Sequence, residues 1–137
     1  MYPAELTAPM TRDLTEAGFE SLHTAADVDV AMSSKEGTFL VLVNSVCGCA
    51  AAMARPGAKI ALLGDKKPNR LYTVFTGVDR QATERVRDYL LPYPPSSPAI
   101  ALFRNGKLVH FLERHHIEGR SAQMIAENLK AAFAEYC

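Results

Sequence analysis

The chain has 137 residues, 48% of them hydrophobic and 22% charged, and its fifteen basic side chains balance fifteen acidic ones. That composition supports a buried core and excludes a disordered chain, and the neutral balance argues against a nucleic-acid partner. No apolar run approaches the ~18 residues of a membrane span, and the length suits one domain over residues 1–137.

Leu6, Met10, Leu14 and Ala17 recur at helical spacing and predict a helix over 4–17, with Gly18 as its stop and Pro9 inside the window. Thr24 stands as the cap of a second helix, supported by Asp27, with Val28, Ala31 and Met32 facing inward and Gly37 ending it. Residues 38–44 (TFLVLVN) are apolar without alternation, the pattern of a strand buried on both faces. Two cysteines follow, Cys47 and Cys49, separated only by Gly48, and an alanine-rich helical pattern begins at once. Pro56, within Arg55-Pro56-Gly57, should kink that helix. The pattern resumes with Ile60, Leu62 and Leu63 and stops at Gly64-Asp65, before a charged loop over 65–70.

A second strand is expected over 71–76, and a helix from the cap Asp79 to about Leu91 with Ala82, Val86, Tyr89 and Leu90 on one side. The proline-rich stretch 92–98 is neither helix nor central strand. It runs into a third strand over 99–103, and Asn105-Gly106 signals a hairpin to a fourth strand over 107–112. A polar loop over 113–119 carries His115 and His116. The last helix, about 121–133, would place Met124, Ile125, Leu129, Ala132 and Phe133 inward. With right-handed crossovers, this order predicts an α/β fold: a four-stranded mixed sheet flanked by helices on both faces, with extra N-terminal helices.

The thiols carry the chemistry. A helix N-terminus offers unpaired N–H groups and a positive dipole end, both of which favour the reactive thiolate. No acidic residue between Thr38 and Leu63 opposes this. Gly48 is expected to let the chain turn tightly. A disulfide across one residue closes a strained ring, suited to exchange rather than to stapling. The N-terminus lacks the basic head and apolar core of a signal peptide, so a cytoplasmic location is expected. In a reducing compartment, three cysteines point to redox or metal chemistry rather than a disulfide framework.

Two readings stand beside exchange. Cys47, Cys49, Cys137, His115 and His116 include ligands soft enough for zinc or copper(I), but their spacing matches no common zinc module, and no metal is expected. The pair would also serve a non-enzymatic redox sensor without turnover. His110, in the fourth strand, reads as a packing or edge residue, and Cys137 as either a free terminal thiol or a third redox thiol.

A thiol pair between strand and helix, a proline in that helix, and Ser97-Pro98 before a strand-turn-strand together resemble the thioredoxin fold. The single residue between the cysteines departs from thioredoxin and is similar to the Cys-Gly-Cys centre of the bacilliredoxin family. The resemblance runs through PMTRDLTEAGFE, VLVNSVCGCAAAMARP, PPSSPAIALFRNGKLVHFLERHHIEG and the terminal Cys137. It implies an oxidoreductase that removes bacillithiol from S-bacillithiolated client proteins, and some members are assigned weak disulfide isomerase activity. Cys47 would attack and Cys49 would resolve or tune. Gly48, Ser96, Ser97 and a cis Pro98 would bind substrate beside the thiols. No bound cofactor is implied, and bacillithiol is the low-molecular-weight thiol co-substrate.

Overall fold

The computed structural model describes residues 2–137. Its elements in chain order are α1 (Ala4–Thr15), β1 (Glu20–Ser21), α2 (Ala25–Met32), β2 (Thr38–Asn44), a π-helical segment (Ala50–Ala54), α3 (Arg55–Ala61), β3 (Arg70–Phe75), α4 (Arg80–Tyr89), β4 (Ala99–Arg104), β5 (Lys107–Leu112), α5 (Arg114–Ile117) and α6 (Ala122–Tyr136).

The sheet has five strands, not the expected four, in the order β1-β3-β2-β4-β5. The added strand is Glu20–Ser21, parallel to β3 at Tyr72 and Thr73. Two polar residues carry no period to read. Their neighbours anchor the edge instead, for Phe19 and Leu22 are buried in opposite cores.

β2 is the central strand, buried at all seven residues, parallel to β3 and antiparallel to β4. Its continuous apolar run serves two cores. Leu40 and Leu42 face α1, α3 and α6, while Phe39, Val41 and Val43 face α2 and α4. Alternation persists in space because both faces are covered. The hairpin after β4 turns at Asn105 and Gly106, both at positive φ, as the sequence predicts. Thr24 closes α2 with a capping box: its hydroxyl accepts from the Asp27 N–H, and the Asp27 carboxylate accepts from the Thr24 N–H.

Several details differ from expectation. α1 continues through Pro9, with Leu6 exposed and Thr7 buried in its place. Met124 is exposed on α6. Asp79 stands at the start of α4 but turns its carboxylate back to the Phe75 N–H (3.1 Å) and to His23 Nδ1 (2.7 Å). The stretch after β5 is not all loop, since 114–117 form one helical turn. The proline effect is a change of winding: π-helix gives way to α-helix at Arg55, and Pro56 lies in the first turn of α3, where a missing N–H costs least. Among the described residues, no helix is long and apolar enough to cross a membrane.

Candidate active site

The thiol loop leaves β2 from a fixed base. Asn44, the last residue of β2, is buried; its Oδ1 accepts from the Ser45 N–H (2.9 Å) and from Arg55 Nη1 (2.9 Å), and its Nδ2 donates to Met10 O (3.2 Å). Arg55 is 5% exposed, and its guanidinium also donates to Ser45 O at 3.3 Å. Its charge is met by Asp13 on α1 (3.3 Å), whose other oxygen takes Lys59 Nζ at 2.6 Å. A charge is buried only when paired and hydrogen-bonded, and this one ties α1, the end of β2 and α3 together beneath the loop.

Above that base, Ser45 Oγ accepts from the Cys47 N–H at 3.2 Å, and Cys47 O accepts from the Ala50 N–H at 3.0 Å, which starts the helix. The two cysteines are half-buried and free, with Cys49 Sγ directly beside Cys47 Sγ. The Cys49 N–H points at Cys47 Sγ, 3.4 Å away. The Cys47 thiol is held below the ordinary range, first by the Cys49 thiol donating to it, then by the Cys49 N–H, with Arg114 and the Ala50 N–H adding to the effect. The Cys49 thiol is pushed up, first because its proton is held by Cys47, then by burial. Interacting thiols titrate as a pair, so one proton leaves early and the other late. Gly48 is used differently from the expected tight turn: its φ is not positive, and a Cβ there would meet nothing within 4 Å. A side chain would fit at this position.

The antiparallel register sets Val43 opposite Ala99, so the residues before β4 lie beside the thiol loop. Pro98 is buried there and the Ser97–Pro98 bond is cis, as is Leu91–Pro92. The structure therefore gathers Cys47, Gly48, Cys49, Ser96, Ser97 and Pro98 in one place.

Sequence reasoning missed the residue that joins them. Arg114 opens α5, and its backbone N–H donates to Ser96 Oγ (2.6 Å). Its Nη1 donates to Ser97 O (3.3 Å), its Nη2 to Cys47 Sγ (3.3 Å) and its Nε to Glu118. The available signal was the spacing of four between Arg114 and Glu118, which makes a pair only on a helix.

Other candidates lie apart. Cys137 is exposed at the end of α6, and no sulfur contact joins it to the pair among the described residues. His116 Nδ1 accepts from the Glu113 N–H at 3.0 Å, and burial, then His115, lowers its pKa and keeps it neutral. Ligand atoms of Glu113, His115 and His116 lie within 4.8 Å of one another, but this group contains neither active-site thiol. His110 bonds Asn128 at 2.7 Å.

A family model described as disulphide isomerase matches residues 2–137. A bacilliredoxin of Cytophaga hutchinsonii is 56% identical over 135 residues, covering 98% of this chain and 99% of the relative. Bacilliredoxin BH1716 of Halalkalibacterium halodurans is 48% identical over 136 residues, covering 99% and 94%.

The chain belongs to the bacilliredoxin family.

As a bacilliredoxin it is a thiol-disulfide oxidoreductase with a redox pair at Cys47 and Cys49. Its backbone is similar to reduced thioredoxin of Schistosoma mansoni, with a TM-score of 0.58, 13% identity and coverage of 88% and 99% of the two chains. Fasciola hepatica thioredoxin gives a TM-score of 0.56, 16% identity and coverage of 87% and 100%. At such identities the likeness shows the thioredoxin-like fold alone.

Proposed function

We propose that this bacilliredoxin removes bacillithiol from protein mixed disulfides in the cytoplasm, with residues 1–137 acting as one domain. The observation that carries the reading is the set of donors converging on Cys47 Sγ: the Cys49 thiol, the Cys49 N–H and the Arg114 guanidinium. Exchange needs a thiolate with access to a disulfide; these contacts favour the Cys47 thiolate, and its sulfur is half-buried rather than enclosed.

The Cys47 thiolate attacks the bacillithiol sulfur of the mixed disulfide. A bond forms between those two sulfurs, the bond to the client breaks, and the electron pair leaves on the client sulfur, which takes a proton from water. Cys49 then gives up its proton and attacks Cys47 Sγ, releasing bacillithiol and leaving the Cys47–Cys49 disulfide. An extended client backbone runs past Ser96, Ser97 and Pro98, over Gly48. Bacillithiol is the co-substrate, and no bound cofactor takes part. The same exchange between two client disulfides amounts to isomerase activity.

The test is intact mass of the Cys49→Ala protein after mixing with a bacillithiolated client. One bacillithiol gained at Cys47, with equal release of client thiol, supports the reading. Absence of the adduct, with stoichiometric zinc or copper(I) in the wild-type protein, would overturn it. Cys137 stands as a third thiol outside the first step, so Cys137→Ser added to the Cys49→Ala protein is expected to leave formation of the Cys47 adduct intact. Loss of the adduct in that variant would assign Cys137 to the first step.

A further inference from the structure

We infer that Arg114 is a third catalytic residue of the exchange: its guanidinium stabilises the charge on Cys47 and fixes that sulfur against the carbonyl of Ser97. The inference rests on the exchange reading above, but its test requires no bacillithiol.

The geometry is specific. The Arg114 side chain is 46% exposed, and a free arginine on the surface samples many rotamers. Here every nitrogen of the guanidinium has a partner: Glu118 on Nε, Ser97 O on Nη1 and Cys47 Sγ on Nη2. The main chain is pinned as well, by Ser96 Oγ on the Arg114 N–H. Arg120 donates from Nη1 to His115 O (3.3 Å) and His116 O (2.9 Å), closing the carbonyl end of the turn that carries Arg114. A planar fork with several donors can hold two acceptors at once, which a lysine ammonium on a flexible stem does less well.

The charged and titratable groups facing Cys47 are few. Cys49 approaches from the helix start, and Arg114 with Glu118 from α5. The Ser96–Pro98 loop brings only neutral atoms. Arg55, Asp13 and Lys59 lie beneath the loop, and the guanidinium of Arg55 stops at Ser45 O. Arg114 is therefore the only cation whose side chain touches the sulfur among the described residues.

During attack, negative charge flows from Cys47 through the central sulfur to the leaving sulfur. The guanidinium stays beside this line, because Nη1 is held on Ser97 O. It lowers the cost of forming the Cys47 thiolate, at the expense of some of that thiolate's nucleophilicity. No net charge is created or lost in the step.

The experiment uses the full chain with Cys49→Ser and Cys137→Ser, which leaves Cys47 as its sole thiol and keeps a hydroxyl donor beside it. Reaction with neutral dithiodipyridine is followed from about pH 6 to about pH 10, across the titration range of thiols. Adding Arg114→Gln is expected to slow the reaction about threefold at the acid end, where losing an opposite charge a few ångströms away cuts the thiolate fraction more than it raises that thiolate's nucleophilicity. At the alkaline end the same variant should react about threefold faster, because a thiolate of higher pKa is the stronger nucleophile. The two profiles then cross. Arg114→Lys, which keeps the charge without the fork, should fall between them.

A merely structural role would lower both ends together, and that result overturns the inference, as do coincident profiles. Should Arg114→Gln fail to fold, the Arg114→Lys profile decides in the same way, by crossing or coinciding. A parent protein that does not react at any pH would sink the exchange reading itself.

Discussion

Replacing Cys47 by serine is expected to abolish thiol transfer, whereas replacing Cys49 by serine should spare the first exchange and stop the second. A serine hydroxyl does not ionise in the range where a thiol does, so Cys47→Ser removes the nucleophile while keeping its size and a hydrogen-bonding atom. Cys49→Ser keeps a hydroxyl donor beside Cys47 Sγ. The surviving step should therefore keep a low pH midpoint, and Cys49→Ala should raise that midpoint by removing the largest stabilising contact. The sign follows from the direction of the shift. The Cys47 thiol lies below its ordinary value, so the wild-type rate should be flat near and above the usual thiol range of about 8.5. It should fall roughly tenfold per unit only below the lowered midpoint. Cys49, pushed the other way, keeps its proton until higher pH and yields it only when it must attack. Client thiol release followed against pH checks this. Equal loss in both serine variants, or a wild-type midpoint at or above that of an ordinary cysteine, would contradict the assignment.

What could be read without coordinates was whatever is local or periodic. The run from Thr38 to Asn44 announces a doubly covered strand, and Asn105-Gly106 announces its hairpin. Cys47 and Cys49 stand out through spacing and through the helix that begins beside them. Contacts between segments distant in sequence left no such trace. Arg55 sits in an Arg-Pro-Gly run that looks like a helix break, yet its guanidinium is the buried post under the thiol loop. Its counter-ion, Asp13, is 42 residues away. Arg114 belongs to a polar stretch of ordinary surface composition, and reaches Cys47 across 67 residues of chain. β1 escaped notice because a two-residue polar strand is defined by its partner, not by its own pattern. Glycine is not required at Gly48, where a side chain would fit, but the packing does require a missing side chain at another glycine.

That glycine is Gly57, and Gly57→Val is expected to destabilise the protein by about 3 kcal/mol, near the upper end of what overpacking a core costs. α3 lies against α6 with almost nothing between them at this point. A Cβ at residue 57 would stand 2.7 Å from both Cβ and Cγ2 of Ile125 and 3.1 Å from the carbonyl oxygen of Ala122. Ile125 is 1% exposed and belongs to the core formed with Leu129, Ala58 and Phe133, so it has no free direction to move. The Ala122 oxygen is backbone and cannot rotate away. Helix propensity works in the opposite direction, since alanine is favoured over glycine by about 1 kcal/mol within a helix. The balance for Gly57→Ala is therefore a net loss of about 1 kcal/mol, and valine adds two methyl groups to the same overlap while its β-branch removes part of the propensity gain. For a chain of this size, 3 kcal/mol corresponds to a fall of about 10 °C in Tm. The consequence reaches the site through Arg55, two residues before Gly57 in the same helix: if α3 moves off α6, the guanidinium moves relative to Ser45 O and the loop above it loosens. Thermal unfolding of the reduced protein measures the first effect. The rate at which Cys47 reacts with a neutral disulfide, taken well below the melting transition, measures the second. A valine variant as stable as the parent would show that α3 and α6 can part without cost and that the close approach at Gly57 is incidental.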